Sequence, residues 1–135
     1  MISPNEHCLD VRVYVEDTDV MGIVYHANYL KYLERARTEM LRNNGLYLTM
    51  MAVYDTHFAI HDAHIRYLYP ARLDDILTIR TTSENIRASS LVFKQVIYNQ
   101  AGKTVCTAAI EVVCVNKNLK PKRLPVEFFG GIKSG

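Results

Sequence analysis

A short acidic segment contains the residue types best suited to chemistry in this chain of 135 residues. Residues 16–22 read Glu-Asp-Thr-Asp-Val-Met-Gly and predict a polar loop that ends at Gly22. Asp19 lies in this loop, and the run Tyr-His-Ala-Asn follows at residues 25–28. Carboxylates act in enzymes as general bases or as nucleophiles, so Asp19 is a candidate for either role.

The helix predicted after this loop supplies a second chemical element. Between residues 28 and 44 apolar side chains recur at helical spacing, and Gly45 stands where a helix would end. The first turn of a helix leaves N–H groups unpaired and carries about half a positive charge, which suits an oxyanion. From the residues alone two interpretations stay open: an acyl-transfer site built on Asp19, or an acidic loop that caps a helix.

The remainder of the chain predicts an antiparallel sheet. Four stretches rich in β-branched and aromatic residues are separated by turns, and they span residues 56–69, 76–85, 90–98 and 104–115. The last of them is apolar on both faces, which predicts a strand in the middle of a sheet that is covered on both sides. With a short strand over residues 9–15, this pattern predicts a single α+β domain over residues 1–135, with the sheet around one central helix. One helix cannot cover such a sheet, so we expect a homo-oligomer.

A longer motif adds a family resemblance. The matching positions are Asp17-Thr18-Asp19, Gly22, Val24-Tyr25-His26, Asn28-Tyr29 and residues 34–39, supported by residues 69–75 and 90–93. This pattern resembles the 4-hydroxybenzoyl-CoA thioesterase group of hot-dog-fold enzymes, and within it the YbgC-type, Tol–Pal-associated branch. The resemblance covers about residues 11–125. It implies a hot-dog fold, a dimer or tetramer, and hydrolysis of an acyl-CoA or acyl-carrier-protein thioester to an acid and a thiol.

The resemblance also implies roles for individual residues. Asp19 matches the catalytic carboxylate, whereas Asp17 is expected to orient the loop and is the alternative catalyst. His26 matches the residue whose backbone N–H polarises the thioester carbonyl. No metal or cofactor is implied, because coenzyme A is part of the substrate. The residues predicted to bind substrate around these groups are Tyr25, Gly22 and Asn28.

Two basic regions are candidates for binding the phosphates of coenzyme A. Arg87, together with Ser89, is predicted to contact the nucleotide end of the substrate. A second basic run consists of Lys117, Lys120, Lys122 and Arg123, for which a solvated loop is the simpler interpretation. Acyl carrier protein is a further candidate partner.

Composition argues against several other classes of protein. A net charge of +2 is too small for a nucleic-acid-binding surface, and no apolar run approaches the roughly 18 residues of a membrane span. Residues 1–10 lack the pattern of a signal peptide. Three cysteines without framework spacing fit a reducing compartment, so we expect a cytoplasmic protein. Cys106 and Cys114 would lie about 26 Å apart on one straight strand, too far for a disulfide.

Other chemical signals are weaker. His57, His61 and His64 invite a metal interpretation, but on the predicted strand His64 points away from the other two, so we expect no three-ligand site. The pair Gly130–Gly131 lacks the strand-to-helix context of a phosphate loop.

Two rival functions stay compatible with the sequence. A hot-dog enoyl-thioester hydratase would pair the His26 side chain with Asp19. A non-catalytic protein that binds acyl thioesters or acyl carrier protein is disfavoured because Asp19 is intact.

Overall fold

The structure, a computed structural model, describes residues 6–129 and has the predicted α+β fold. Its five strands form one antiparallel sheet in the order β1-β3-β4-β5-β2. The terminal residues of the predicted domain 1–135, including Gly130–Gly131 and the first half of the segment 1–10, lie outside the described part. The elements are β1 (Glu6–Arg12), α1 (Asn28–Asn43), α2 (Leu48–Val53), β2 (His57–Tyr67), β3 (Ile76–Glu84), β4 (Ser90–Tyr98) and β5 (Thr104–Val115).

Helix α1 is the central helix and packs against β1 and β3. The four apolar positions that predicted it are all buried. Gly45 follows the helix with a φ of +82°, and its N–H donates to the carbonyl of Arg42 at 3.0 Å. The predicted helix and its glycine stop are therefore confirmed. The four buried positions are Tyr29, Leu33, Ala36 and Met40.

Strand β5 lies between β4 and β2, so its predicted place inside the sheet is confirmed. Its inner face is buried, from Cys106 to Cys114. The outer face is partly exposed at Thr107, Ala109, Glu111 and Val113. The prediction that β5 is covered on both sides is wrong for a single chain, because the helices leave this outer face open.

Three local features of the structure differ from the predicted pattern or are absent from it. Strand β1 begins at Glu6 instead of residue 9, and Val15–Asp17 form a short 3₁₀ turn. Helix α2 was not predicted. Strand β2 has a bulge at His61, where the register against β5 shifts between Ile60 and Asp62.

The bulge corrects the geometry expected for the three histidines. His57 pairs with Val115 and His64 with Ala109, two positions on the same face of β5, so His57 and His64 share a face. The prediction that they point to opposite faces is wrong, because the extra residue reverses the alternation. Each ring instead contacts a neighbouring carboxylate at 3.1 Å, Asp55 and Asp62 respectively. Within residues 6–129 no three His, Cys, Asp or Glu residues form a group that could hold a metal ion.

Two further expectations concern disulfide bonds and membrane-spanning segments. Cys8, Cys106 and Cys114 are all free, as the strand geometry predicts for the last two. Neither helix in the described part of the chain is long and apolar enough to cross a membrane.

Candidate active site

The acidic loop closes into a tight turn before α1. The N–H of Gly22 donates to the carbonyl of Asp19 at 3.0 Å, and the N–H of Asp19 donates to that of Ile23 at 2.9 Å. Gly22 has a φ of +78°, a conformation that side chains other than glycine rarely adopt. A Cβ at this position would meet no atom within 4 Å. Backbone conformation, and not lack of space, therefore explains the glycine.

The two candidate carboxylates lie in different environments. Asp17 is only 7% exposed; it accepts hydrogen bonds from the N–H of Tyr14 at 2.9 Å and from Nδ2 of Asn28 at 3.1 Å. Asp19 is half-buried, and its Oδ1 accepts the N–H of Met21 at 2.8 Å. Asp17 thus ties the loop to the start of α1, whereas Asp19 lies on the turn. Within residues 6–129 the Asp19 side chain makes no hydrogen bond to α1.

Asp17 also affects a buried neighbour. Burial, followed by the nearby Asp17 carboxylate, raises the pKa of Tyr32 well above its usual value. Tyr32 therefore stays neutral at physiological pH and packs under the loop as part of the core. This arrangement fits a structural role for Asp17.

His26 lies just before α1 and not within its first turn. The N-cap residue of the helix is Ala27. The N–H of Tyr25 donates to the carbonyl of Asp17 at 2.9 Å, and that of Asn28 to the carbonyl of Tyr25 at 2.8 Å. The N–H of His26 is not a donor in any hydrogen bond of the described residues. It is available to a ligand at the positive end of the helix.

An aromatic cleft of about 390 Å³, here called the His26 cleft, opens beside this residue. The hydroxyl of Tyr67 donates to the carbonyl of His26 at 3.1 Å, and the rings of Tyr29 and Tyr67 lie 5.4 Å apart. Burial raises the pKa of both tyrosines, so their hydroxyls are neutral at physiological pH. The other walls come from Ile23, Val24, Leu68, Tyr69 and Pro70.

Three residues predicted to bind substrate do not line this cleft in the single chain. Tyr25 is exposed, with its ring 4.5 Å from that of His26. Asn28 is buried and engaged by Asp17, and Gly22 belongs to the turn. Contact of these residues with substrate stays a prediction.

Tyr29 and Tyr67 are the site residues that sequence reasoning missed. Tyr29 was assigned only to the buried helix face, although its hydroxyl also accepts the N–H of Ala71 at 3.2 Å. Tyr67 is at the end of β2, and the aromatic pair Tyr67 and Tyr69 before Pro70 was the available signal.

Arg87 and Ser89 lie far from Asp19 within one chain. The N–H of Val13 donates to the carbonyl of Asp75, which places the acidic loop near the start of β3. Arg87 follows the other end of this nine-residue strand, about 26 Å away at about 3.3 Å per residue. The structure does not bring these predicted substrate contacts together with Asp19.

The second basic run adjoins Arg87, because the N–H of Leu124 donates to the carbonyl of Ala88 at 2.8 Å. Within this run Lys122 has a structural role. Its Nζ donates to the carbonyl of Tyr54 at 2.9 Å and to Oγ1 of Thr56 at 3.1 Å. Arg123 stacks over Phe129 at 5.0 Å.

Comparison with known proteins identifies the family. The thioesterase-like superfamily matches residues 13–130, nearly the whole chain. The chain belongs to the thioesterase-like superfamily. Its relatives include the acyl-CoA thioester hydrolase YbgC of Escherichia coli O6:H1, 44% identical over 85% of this chain and 87% of that protein. The acyl-CoA thioesterase YbgC of Haemophilus influenzae is 36% identical over 91% of each chain. The resemblance in the sequence is thereby confirmed, and this chain is a thioester hydrolase.

Solved structures confirm the hot-dog fold of this thioesterase. A probable thioesterase from Bartonella henselae is similar with a TM-score of 0.85 at 35% identity, over 89% of this chain and 99% of the other. The 1,4-dihydroxy-2-naphthoyl-CoA thioesterase Slr0204 from Synechocystis has a TM-score of 0.87 at 24% identity, over 94% and 95%. The second likeness concerns the fold alone.

The thiols of this thioesterase are poorly suited to nucleophilic attack. Burial raises the pKa of Cys106 to about 11 and also raises that of Cys114. Since the thiolate is the nucleophilic form, neither buried cysteine is reactive at neutral pH. The groups that remain for acyl chemistry are the half-buried carboxylate of Asp19, which does not itself line the His26 cleft, and the available backbone N–H of His26. The N–H of Asp19 donates to the carbonyl of Ile23, a residue of the cleft wall.

Proposed function

We propose that this thioesterase hydrolyses acyl-CoA thioesters at the His26 cleft, with Asp19 as base or nucleophile and the N–H of His26 polarising the carbonyl. The observation that carries the proposal is this N–H, which donates no hydrogen bond within the described residues and lies one residue before the N-cap of α1. An oxyanion bound there would gain one donor and the positive end of the helix. Relatives named acyl-CoA thioester hydrolases support the substrate class.

The contrast between the acids supports Asp19 over Asp17 as the reacting carboxylate. Both Asp17 oxygens accept hydrogen bonds in a buried setting, so a reaction there would disrupt the link between loop and helix. Asp19 has one turn hydrogen bond and is partly open to solvent. As a base, Asp19 would take a proton from water as the water oxygen attacks the carbonyl carbon. The C–S bond then breaks, and the thiolate of coenzyme A leaves and takes up the proton.

As a nucleophile, Asp19 would instead form a mixed anhydride with the acyl group and release the thiolate, and water would then cleave the anhydride. Both routes use the same oxyanion donor and need no metal or cofactor, because a carboxylate and backbone dipoles handle the charge. The aromatic walls formed by Tyr29 and Tyr67 suit the acyl part next to the carbonyl, since they are apolar and rigid.

A homo-oligomer is part of this proposal. Strand β2 is an edge strand of 11 residues, and its apolar Ile60 and Tyr67 are 58% and 49% exposed. A second copy could cover this edge and bring its own Arg87 and Ser89 toward the nucleotide end of a substrate bound at the His26 cleft. Light scattering should give the mass of a dimer or tetramer. A monomer with full activity would contradict this part.

A cytoplasmic location belongs to the proposal as well. The three cysteines are free thiols, which fit a reducing compartment. Acyl carrier protein is the alternative thiol carrier, and the thiol-release assay described next tests it alongside coenzyme A.

The experiment is a thiol-release assay of the wild-type protein across saturated acyl-CoA chain lengths, with a 2-enoyl-CoA and an acyl carrier protein thioester alongside. We expect free thiol to appear with time from at least one acyl-CoA. Conversion of the enoyl-CoA to its hydrated thioester without thiol release would favour the hydratase. Absence of turnover with every thioester would favour a binding protein and contradict the proposal.

A further inference from the structure

A second cavity, of about 310 Å³, lies toward the other ends of α1 and β2. We call it the Arg37 cavity. It does not share a lining residue with the His26 cleft. Its Ile60 belongs to the β2 edge that a second copy is proposed to cover, but no role has been given to its polar side chains. Its volume is within the range of small-molecule sites, about 300–1,000 Å³. The walls include Arg37, Thr38 and Leu41 of α1 and His57, Phe58 and Ile60 of β2.

Buried polar groups hold the guanidinium of Arg37 in this wall. Its Nη1 donates to Oε1 of Gln95 at 3.1 Å, and Gln95 is 1% exposed. The Nε2 group of Gln95 is fully committed, because it donates to the carbonyl of Leu33 at 2.9 Å and to Oγ1 of Thr81 at 3.0 Å. Gln95 therefore presents its oxygen to Arg37, and the charged group is fixed in position.

The charge of Arg37 is not neutralised by an ion pair. Among residues 6–129 no carboxylate oxygen lies within 4.0 Å of its nitrogens. Burial lowers the pKa of Arg37, although the nearby Glu34 opposes this change. A guanidinium stays charged in proteins, and a partly buried charge is unfavourable unless an anion or several acceptors compensate it. One neutral amide oxygen leaves most of the guanidinium donors for a ligand.

The remaining walls define what the ligand must look like. Leu41, Phe58 and Ile60 are apolar, and the buried Phe93 and Val112 form the floor. His57 borders the cavity with its ring held at 3.1 Å by Asp55. A fixed cation beside apolar walls suits an anion attached to a hydrocarbon chain, and guanidinium binds carboxylates with two parallel hydrogen bonds.

We propose that the Arg37 cavity binds the carboxylate of a short aliphatic acid, with its chain against the apolar walls. Two sources present this chemistry. One is a free carboxylic acid, the class of product that thioester hydrolysis releases. The other is the far end of an acyl group that carries a second carboxylate, and this alternative rests on the function proposed above.

Replacing Glu34 should change the affinity for the carboxylate in the opposite direction to replacing Arg37. The side chain of Glu34 also lines the cavity, is exposed and has no ion pair within residues 6–129. A negative charge beside the bound carboxylate weakens binding, so Glu34→Gln should strengthen it. Arg37→Met, which keeps much of the aliphatic volume, should weaken it.

Calorimetric titration with hexanoate, and with hexanol as the uncharged control, measures this site independently of turnover. We expect hexanoate to bind wild type more tightly than hexanol does. Arg37→Met should weaken hexanoate binding roughly 10- to 100-fold, the range for a charged hydrogen bond, and leave hexanol unchanged. Glu34→Gln, at an exposed position, should fold normally and bind hexanoate more tightly.

Equal binding of hexanoate and hexanol, or a Kd that Glu34→Gln fails to lower, would overturn the proposal. Light scattering on Arg37→Met tests whether Arg37 instead contributes to a contact between subunits. If that variant changes the mass of the assembly, Arg37 belongs to a subunit contact and the proposal is wrong.

A kinetic comparison separates the two sources. If the far end of the substrate binds here, Arg37→Met should lose a wild-type preference for adipoyl-CoA over hexanoyl-CoA in kcat/KM. If a free acid binds here, that preference is unaffected, but inhibition of wild type by hexanoate should be relieved in Arg37→Met. Failure of both changes would overturn the proposal, whereas an absence of thiol release with intact hexanoate binding would contradict only the proposed function.

Discussion

The His26 cleft and the Arg37 cavity both include residues of α1 and β2, but their polar groups have different origins. At the His26 cleft the available donor is a backbone N–H before the helix, and the carbonyl of His26 is held by Tyr67. At the Arg37 cavity the donor is a side-chain cation fixed by the buried Gln95. A backbone donor can be held rigidly at a reacting carbonyl, whereas a guanidinium matches a ready-formed carboxylate.

Because of this difference, we expect mutations at the His26 cleft and at the Arg37 cavity to affect different measured quantities. Changes at the His26 cleft should lower the rate of the chemical step. Changes at the Arg37 cavity should alter binding of the carboxylate without affecting turnover of short acyl groups, which present no such group.

The largest effect among the supporting tests is expected for the backbone of His26. His26→Pro removes the N–H, and since His26 precedes the N-cap, no intrahelical hydrogen bond is lost. Turnover should fall about 10²- to 10³-fold, the usual loss for one oxyanion donor. The matched control His26→Ala keeps the N–H and should retain a substantial share of activity. Far-UV circular dichroism should be unchanged in both, and a dead alanine variant with an equally active proline variant would assign the role to the imidazole.

A second test separates the two acids by stability. Asp17→Asn removes one acceptor from a buried pair of hydrogen bonds, which should lower the free energy of unfolding by about 1–3 kcal/mol. Asp19→Asn at its half-buried position should change it by less than about 0.5 kcal/mol. Urea unfolding midpoints measure both. Equal midpoints would mean that Asp17 does not anchor the loop.

The smallest loss of activity is expected when the hydrogen bond from the Tyr67 hydroxyl to the His26 carbonyl is removed. Tyr67→Phe removes the hydroxyl that donates to the His26 carbonyl but keeps the ring in the cleft wall. A neutral hydrogen bond contributes about 0.5–1.5 kcal/mol, so kcat should fall about two- to tenfold with KM nearly unchanged. A larger rise in KM than fall in kcat would indicate that Tyr67 binds substrate instead.

The fold could be predicted where the pattern was long and regular. Helix α1 had four apolar positions at helical spacing and a glycine stop, and β4 and β5 have the predicted bounds. Helix α2 could not be predicted, because six mostly apolar residues are too few to distinguish a helical from an extended period. The bulge at His61 left no signal in composition, and one extra residue reversed the expected faces of β2.

The site was predictable only in part for a related reason. The acidic loop and His26 form one continuous segment, so a motif could find them. Tyr67 reaches His26 from 41 residues away, and Gln95 reaches Arg37 from 58 residues away. Both contacts depend on how the sheet curves around α1. Strand patterns alone do not specify that curvature.

In the proposed mechanism Asp19, near the His26 cleft, performs the chemistry and Arg37 does not. The most direct test is the single-turnover rate of thiol release from butyryl-CoA, with enzyme in excess, for wild type, Asp19→Asn, Asp17→Asn and Arg37→Met. Asp19→Asn should lose about 10²- to 10⁴-fold, as expected for a positioned acid–base group, while folded Asp17→Asn and Arg37→Met retain most of the rate. Near-normal thiol release by Asp19→Asn together with a dead but folded Asp17→Asn would contradict the assignment of Asp19 as the reacting carboxylate.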